Sequence, residues 1–408
     1  MNRLVVVGAS LAGVRAVEAA RKAGFTGDVT LIGDEVHLPY DRPPLSKAFL
    51  DRGEAEVPYY RARHEFADLD VDLRLGAPAT GLDVASKLVE INGEAVEYEA
   101  LVIATGATAR ALPGSDGLAG VHTLRTLDDA RAVRAALDAG ARTVIIGAGF
   151  IGSEVASAAR KRGLSATILE ALPTPLARAV GGVMGNACGV LHVENGTELR
   201  CGVMVSALEG NGSVERVRLS DGSAVDADLV VVGIGADPAT GWLEHSGLAL
   251  DNGVVCDSNL ATSAPGVYAA GDVARWSNPA FKRHMRLEHW TSAQEQGERA
   301  ARNAIDPDNA QPYTTVPYFW SDWYDSRIQF VGVPDGDELE LFGSIQQGRL
   351  LALYGDGERL LGALAINRQP DIMKLRALIA RRTGWAEAVA FAADRARNWK
   401  NAAPRQPV

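Results

Sequence analysis

Leu4-Val5-Val6-Val7-Gly8-Ala9-Ser10-Leu11-Ala12-Gly13 decides the fold, because the same grammar returns 139 positions later as Thr143-Val144-Ile145-Ile146-Gly147-Ala148-Gly149-Phe150-Ile151-Gly152. Each stretch runs from a short apolar strand through a glycine-bearing turn into a helix. Glycine is needed there because the chain turns sharply while a pyrophosphate approaches its backbone. The helix start that follows offers N–H groups and a positive dipole end to phosphate. One such run is weak, since any tight strand–helix turn uses the same residues. Two copies point to two dinucleotides bound by one chain. The first copy departs from the pattern at Ser10, where a second glycine is usual, but serine is small enough to let a pyrophosphate approach. The phosphate-binding candidates are Gly8, Ser10, Leu11, Ala12 and Gly13 in the first run, and Gly147, Gly149, Ile151 and Gly152 in the second.

Working outward, residues 4–7, 29–32 and 101–104 are nearly continuous apolar runs, as expected of parallel strands covered on both faces. Between the first two lies a helical stretch from Ala12 to Ala23, stopped by Gly24. The unit recurs as Val144–Ile146, a helix over Ile151–Arg162 stopped by Gly163, and Ala166–Leu169. Two right-handed strand–helix–strand units imply two doubly wound sheets. Leu101-Val102-Ile103-Ala104-Thr105-Gly106 leaves the first domain, Leu229-Val230-Val231-Val232-Gly233-Ile234-Gly235 ends the second, and Gly266-Val267-Tyr268-Ala269-Ala270-Gly271-Asp272 returns to the first. From Pro312 the chain turns aromatic and strand-like, in Tyr318-Phe319-Trp320 and Ile328-Gln329-Phe330-Val331, before an amphipathic helix near Asp371–Arg382. The expected fold class is therefore α/β, with two doubly wound dinucleotide-binding domains, one inserted in the other, and a C-terminal α+β domain. The boundaries fall at 1–109 and 238–312 for the first domain, 110–237 for the inserted one and 313–408 for the last.

The 408 residues are 47% hydrophobic, enough for several buried cores, and the 43 glycines with only 6% aromatics fit an α/β protein rich in tight turns. A net charge of −10 argues against general nucleic-acid binding. No apolar run approaches the length of a membrane span. Cys188, Cys201 and Cys256 are scattered and odd in number, so neither a disulfide framework nor a metal site is indicated, and a reducing cytoplasm is the expected setting. The charge is uneven: from Arg368 onward the balance is +6, leaving −16 for the rest of the chain.

Each fingerprint should be followed, after its second strand, by an acidic side chain that accepts bonds from an adenosine ribose. Asp34 fits the first site, with Glu35 adjacent as a competitor, and Glu170 fits the second. A carboxylate a few ångströms from a 2′-phosphate would cost several kcal/mol at an intermediate dielectric, roughly 4 kcal/mol for unit charges 4 Å apart. Glu170 therefore favours NADH over NADPH.

Three further segments, Ala104-Thr105-Gly106, Thr262-Ser263-Ala264-Pro265-Gly266-Val267-Tyr268-Ala269-Ala270-Gly271-Asp272 and Pro39-Tyr40-Asp41-Arg42-Pro43-Pro44-Leu45-Ser46-Lys47, complete a pattern. With both fingerprints, and over essentially the whole chain, the sequence resembles the FAD-dependent ferredoxin reductases that feed oxygenase systems. The resemblance implies FAD contacts at Ala12, Gly13, Asp34, Arg42, Lys47, Ala79, Arg125, Asp272 and Trp290, beside Thr105, Gly106 and Gly271 of the quoted motifs, with Trp320 as an aromatic near the flavin. It puts Glu154, Glu170, Arg178 and Gly235 at the nicotinamide cofactor, and makes Lys47 and Glu154 the catalytic candidates. Lys47 would sit beside the reactive edge of the flavin, where a cation stabilises incoming negative charge. Glu154 reads as a first-turn helix residue, a place the helix dipole alone favours for an acid.

Relatives of this kind that reduce disulfides carry a cysteine pair in the first flavin segment. Here no cysteine lies between Gly24 and Lys47, so electrons would leave the flavin directly. The resemblance implies NADH as donor, a small iron–sulfur ferredoxin as acceptor, and a haem-thiolate monooxygenase or Rieske dioxygenase as consumer. A rubredoxin reductase, an NADH oxidase, and an FAD-bearing redox sensor like apoptosis-inducing factor are the alternatives. An acidic partner would need a local basic surface. Two clusters are candidates: Lys374, Arg381 and Arg382 flanking a helix whose apolar side carries Ile372, Leu375, Leu378 and Ile379, and the run Lys282-Arg283-His284-Met285-Arg286.

Overall fold

The computed structural model describes residues 1–115 and 117–399. The chain forms two compact units, the first built from Met1–Asp41, Val57–Thr108 and Ala236–Thr315, the second from Arg42–Glu56, Ala109–Gly235 and the residues from Val316 onward.

In the first unit a five-stranded parallel sheet has the order Val267–Ala269, Ala100–Ile103, Arg3–Val7, Asp28–Ile32, Val71–Arg74. Its central strands are buried almost throughout because helices cover them, which is why they read as unbroken apolar runs, whereas the edge strand Val71–Arg74 is not buried. The helix Leu11–Lys22 leaves the sheet and is stopped at Gly24, whose φ is +86°. It packs on the helix Trp290–Ile305 so closely that a Cβ at Gly297 would lie 2.2 Å from the Ala12 carbonyl oxygen. A three-stranded antiparallel sheet (Ala79–Asp83, Leu88–Ile91, Glu94–Glu97) completes the crossover side of this domain.

The second unit carries the other parallel sheet, ordered Glu198–Cys201, Ala166–Glu170, Thr143–Ile146, Leu229–Val232, Val121–His122. Its fingerprint helix is Phe150–Lys161, and its crossover helix Leu127–Asp138 is held by a capping box between Thr126 and Asp129. The C-terminal part is an antiparallel sheet of five strands, Tyr318–Trp323, Ser326–Gly332, Leu360–Ile366, Arg349–Gly355 and Glu338–Ser344 in spatial order. The helix Ala177–Glu194 lays Met184, Cys188 and Leu191 into a core shared with Phe330, Tyr354 and Leu364 of that sheet. Two helices, Gln369–Ala380 and Trp385–Asn398, are tied together by the buried carboxylate of Asp371, which accepts from Arg368, Arg395 and the Trp399 indole. Removing one charge from such a buried cluster typically costs about 3–5 kcal/mol.

The grouping differs in two respects from the boundaries read in the sequence, the first being that Ala109–Gly235 and the residues from Val316 onward fall in one compact unit. The other is that Arg42–Glu56 packs with the second unit rather than with the first dinucleotide domain. Arg134 donates to the carbonyls of Phe49, Asp51 and Gly53, and Arg162 to those of Leu50 and Asp51. These guanidiniums collect a loop's carbonyl groups from about a hundred positions away, and a turn-rich segment carries no local mark of that.

Candidate functional site

Every glycine-rich segment singled out in the sequence follows directly on a parallel strand, so each unit gathers its candidates at the carboxyl edge of its sheet. That edge is where ligands of doubly wound sheets bind. In the first unit Gly8 follows Val7, Asp34 comes two residues after Ile32, Thr105-Gly106 follows Ile103 within three residues, and Gly271-Asp272 follows Ala269. A Cβ on Gly8, where φ is +116°, would lie 2.1 Å from the Ala104 carbonyl oxygen. One on Gly271 would meet the Ala12 side chain at 3.1 Å. Ala79 joins this edge through Ala77, whose N–H donates to the Gly33 carbonyl at 2.9 Å.

The second unit repeats the construction. Gly147 (φ +101°) would place a Cβ 2.4 Å from the Gly233 carbonyl oxygen, and Gly235 (φ +110°) closes the turn after Leu229–Val232. At the middle position the two copies explain each other. Gly149 has extended backbone at negative φ, and a Cβ there would meet only Gly233 oxygen at 3.7 Å, an ordinary contact. Ser10 has the same extended conformation, so a side chain is tolerated where the pattern usually has glycine. Neither fingerprint helix has a side-chain cap, and neither carries an acid in its first turn. Helix-start N–H groups with no acid in the first turn are a donor set for phosphate, and both helix starts fit a dinucleotide pyrophosphate, the Ala148 N–H of the second turn being taken by Glu170.

The acids behave differently. Asp34 is exposed and accepts from the Glu35 N–H at 3.0 Å, while the Glu35 carboxylate is taken up by the Tyr40 hydroxyl. Glu170 accepts from Ala148 N–H at 2.6 Å on one oxygen and from Leu172 N–H at 2.8 Å on the other, which fixes it beside the second fingerprint. Arg178 is exposed at the second position of its helix, with no bond to Glu170 among the described residues.

The remaining flavin candidates divide between the units. Trp290 belongs to the first, its indole N–H donating to Asp41 at 2.7 Å; Asp41 also accepts from Tyr60 at 2.8 Å. Arg42, Lys47, Arg125 and Trp320 belong to the second. Arg42 donates to the Arg125 carbonyl at 2.6 Å, so two of the cations are neighbours. Trp320 stacks on Tyr318 with centroids 5.9 Å apart and has the Arg327 guanidinium 5.7 Å over its ring.

Lys47 and Glu154 are brought into an ion pair, Nζ to Oε1 at 2.8 Å, with Glu154 only 4% exposed and Lys47 partly exposed. The expectation of a first-turn Glu154 is corrected here. The helix begins at Phe150, so Glu154 is its fifth residue, one turn beyond the dipole's N-terminal end. Its place is set by partners instead: Ser46 donates to Oε2 and Ser321 to Oε1. Sequence reasoning missed both serines. It also missed Gln296, whose buried side-chain oxygen accepts from Gly271 N–H at 2.8 Å and shapes the Gly271-Asp272 turn. Its only sequence signal is adjacency to Gly297, the small residue that lets the two helices touch.

Two glycine-bearing strand–helix turns, an acidic residue at or just past the end of each second strand, and an ion pair with a buried carboxylate fit a two-dinucleotide oxidoreductase. A model of the pyridine nucleotide-disulphide oxidoreductases matches residues 2–297, and one described as reductase C-terminal matches residues 318–403. Rhodocoxin reductase of Rhodococcus erythropolis is 37% identical over 92% of this chain and 89% of its own length. The biphenyl dioxygenase system ferredoxin–NAD(+) reductase component of Paraburkholderia xenovorans is 38% identical over 86% of each. The reductase in the crystal structure of the covalent putidaredoxin reductase–putidaredoxin complex superposes with a TM-score of 0.89 at 33% identity, over 93% of both chains. The chain belongs to the pyridine nucleotide-disulphide oxidoreductases, within the ferredoxin–NAD(+) reductases of oxygenase systems.

Proposed function

We infer that this protein takes a hydride from NADH onto bound FAD and passes the electrons to a small iron–sulfur ferredoxin that supplies an oxygenase. FAD, when bound, supplies the step from a two-electron donor to a one-electron acceptor. The observation that carries the reading is the pairing of two dinucleotide sites with no dithiol. Relatives named for rhodocoxin and for dioxygenase-system ferredoxins, and a neighbour crystallised with putidaredoxin, support the acceptor. Residues 1–109 and 238–312 are assigned to FAD, 110–237 to NADH and 313–408 to the C-terminal domain. Lys47 beside the flavin and Glu154 at the nicotinamide serve hydride transfer, with Arg42, Arg125 and Trp320 as further FAD contacts. Among the described residues no helix is long and apolar enough to cross a membrane, and the scattered free thiols favour a cytoplasmic setting.

Electron counting tests the carrying observation. Cys188 and Cys256 are buried, and burial pushes both thiols up to about 12, so neither is a thiolate at neutral pH. Anaerobic titration is expected to take up two electrons per FAD and stop. Replacing all three cysteines should leave NADH-driven ferricyanide reduction within about twofold, the change due to packing alone. Uptake of four electrons would reveal a second redox group and overturn direct exit from the flavin.

For the acceptor, the helix Gln369–Ala380 carries Lys374 exposed, with Arg381 and Arg382 exposed just past its end, while Ile372, Leu375 and Ile379 are buried and Leu378 half-buried. In the other cluster Lys282, Arg283 and His284 are exposed, whereas Arg286 pairs with Glu288 at 2.8 Å. Exposed charges steer encounter over about a Debye length, ~8 Å at physiological salt. Reversing Arg381 and Arg382 to Glu is expected to lower kcat/KM for an acidic ferredoxin about 3- to 10-fold at low salt, with flavin reduction by NADH unchanged. Insensitivity to both the reversals and ionic strength would place docking elsewhere.

A further inference from the structure

We propose that Ser321, on the first strand of the C-terminal sheet, is a positioning residue for the Lys47–Glu154 pair. With Trp323 and Ser46 it fixes the Glu154 carboxylate, and through it the Lys47 ammonium. The inference rests on the assignment of Lys47 and Glu154 to hydride transfer.

The direction of the hydrogen bonds is set by the chemistry of the donors. An indole N–H can only donate. Trp323 Nε1 donates to Ser321 Oγ at 2.8 Å, so the serine oxygen is the acceptor there and its own hydrogen is aimed at Glu154 Oε1, 2.5 Å away. Ser46 donates to Oε2, and the Lys47 ammonium, which also can only donate, reaches Oε1 at 2.8 Å. Glu154 thus meets donors on both oxygens inside a buried cluster, with Ser321 and Trp323 fully buried. Hydrogen bonds to a charged group are about twice as strong as neutral ones, and a carboxylate held from three sides has little freedom to turn.

The register that delivers Ser321 is fixed independently. Side chains at 150, 153, 154 and 157 share one face of the fingerprint helix, and each meets the segment 319–324 or a residue bonded to it. Phe150 packs on Phe319 with centroids 4.6 Å apart, and Ser157 Oγ accepts from Tyr324 N–H at 2.6 Å. Ser153 Oγ bonds His192 Nε2 at 3.1 Å, and His192 Nδ1 bonds the Tyr324 hydroxyl at 2.8 Å. Strand alternation then brings Phe319, Ser321 and Trp323 to the same side. The C-terminal domain therefore supplies part of the ion pair's cage, 167 positions along the chain from Glu154.

Stopped-flow reduction of the holoenzyme across a range of NADH concentrations separates the limiting rate from NADH affinity. Glu154→Gln tests the pair itself and should lower the limiting rate by about tenfold or more. Ser321→Ala should lower it about 3- to 10-fold while the Kd for NADH stays within about twofold, and Trp323→Phe should act in the same direction. In the Glu154→Gln background, Ser321→Ala should add nothing to the rate loss. Urea unfolding of the same holoenzymes should show a nonzero coupling between positions 154 and 321. An unchanged limiting rate in Glu154→Gln would remove the role of the pair, and this inference with it. A slow Glu154→Gln beside wild-type rates in Ser321→Ala and Trp323→Phe would overturn the role of Ser321 while leaving the pair standing. An equal Ser321→Ala effect with and without the carboxylate would also overturn it, because the effect would not pass through Glu154.

Discussion

NADH is expected to be preferred over NADPH by at least ~10²-fold in kcat/KM, a difference of about 2.7 kcal/mol in transition-state binding. The reason is positional. Glu170 ends the strand next to the second fingerprint, and both of its oxygens are held by main-chain N–H groups, those of Ala148 and Leu172. A carboxylate pinned from both sides cannot swing away from a 2′-phosphate. For unit charges about 4 Å apart at an effective dielectric near 20, the repulsion is roughly 4 kcal/mol, which exceeds the predicted preference. Arg178 opposes this, but it is exposed, and screening by water and salt leaves it the weaker influence. Glu170→Gln keeps the shape and one acceptor oxygen, and should narrow the preference by about tenfold or more, chiefly by improving kcat/KM with NADPH. Steady-state kinetics with both nicotinamides decide the matter. Equal efficiency in the wild-type protein would mean that Glu170 does not face the ribose.

Gly8→Ala is expected to prevent recovery of folded, flavin-loaded protein. The added Cβ would lie 2.1 Å from the Ala104 carbonyl oxygen, at a φ of +116° that side chains rarely adopt. Both partners are backbone at the carboxyl edge of the parallel sheet, so no side chain can move aside. Strain and clash together correspond to about 4 kcal/mol or more, a large part of a typical domain's stability. The purified variant, if any is obtained, should show at least ~10-fold less flavin per protein and a lower Tm. Ser10→Gly is the control: its backbone is extended at negative φ, so the exchange should leave folding nearly unchanged apart from about 0.5–1 kcal/mol of added chain entropy. Full flavin content and an unchanged Tm in Gly8→Ala would refute the close approach at this turn.

The sequence by itself determined what depends on local rules. The two strand–helix turns are legible because a backbone passing within van der Waals contact of its neighbour excludes a Cβ at Gly8 and Gly147, and the helix stops are legible because Gly24 and Gly163 take positive φ. The apolar runs of the central strands follow from burial on both faces, and Glu170 follows from its place after its strand. Only the tertiary structure decided the rest. Ser46 and Ser321 are ordinary small residues whose value lies in meeting one carboxylate across 108 and 167 positions. The Tyr40 hydroxyl claims Glu35 and leaves Asp34 as the exposed acid. Arg134 and Arg162 draw Arg42–Glu56, and with it Lys47, into the second unit by binding carbonyl groups that every sequence possesses. A turn imposes its demands on the residues that make it, whereas a buried charge is satisfied by whichever donors the fold brings near, and those leave no periodic or local trace in the chain.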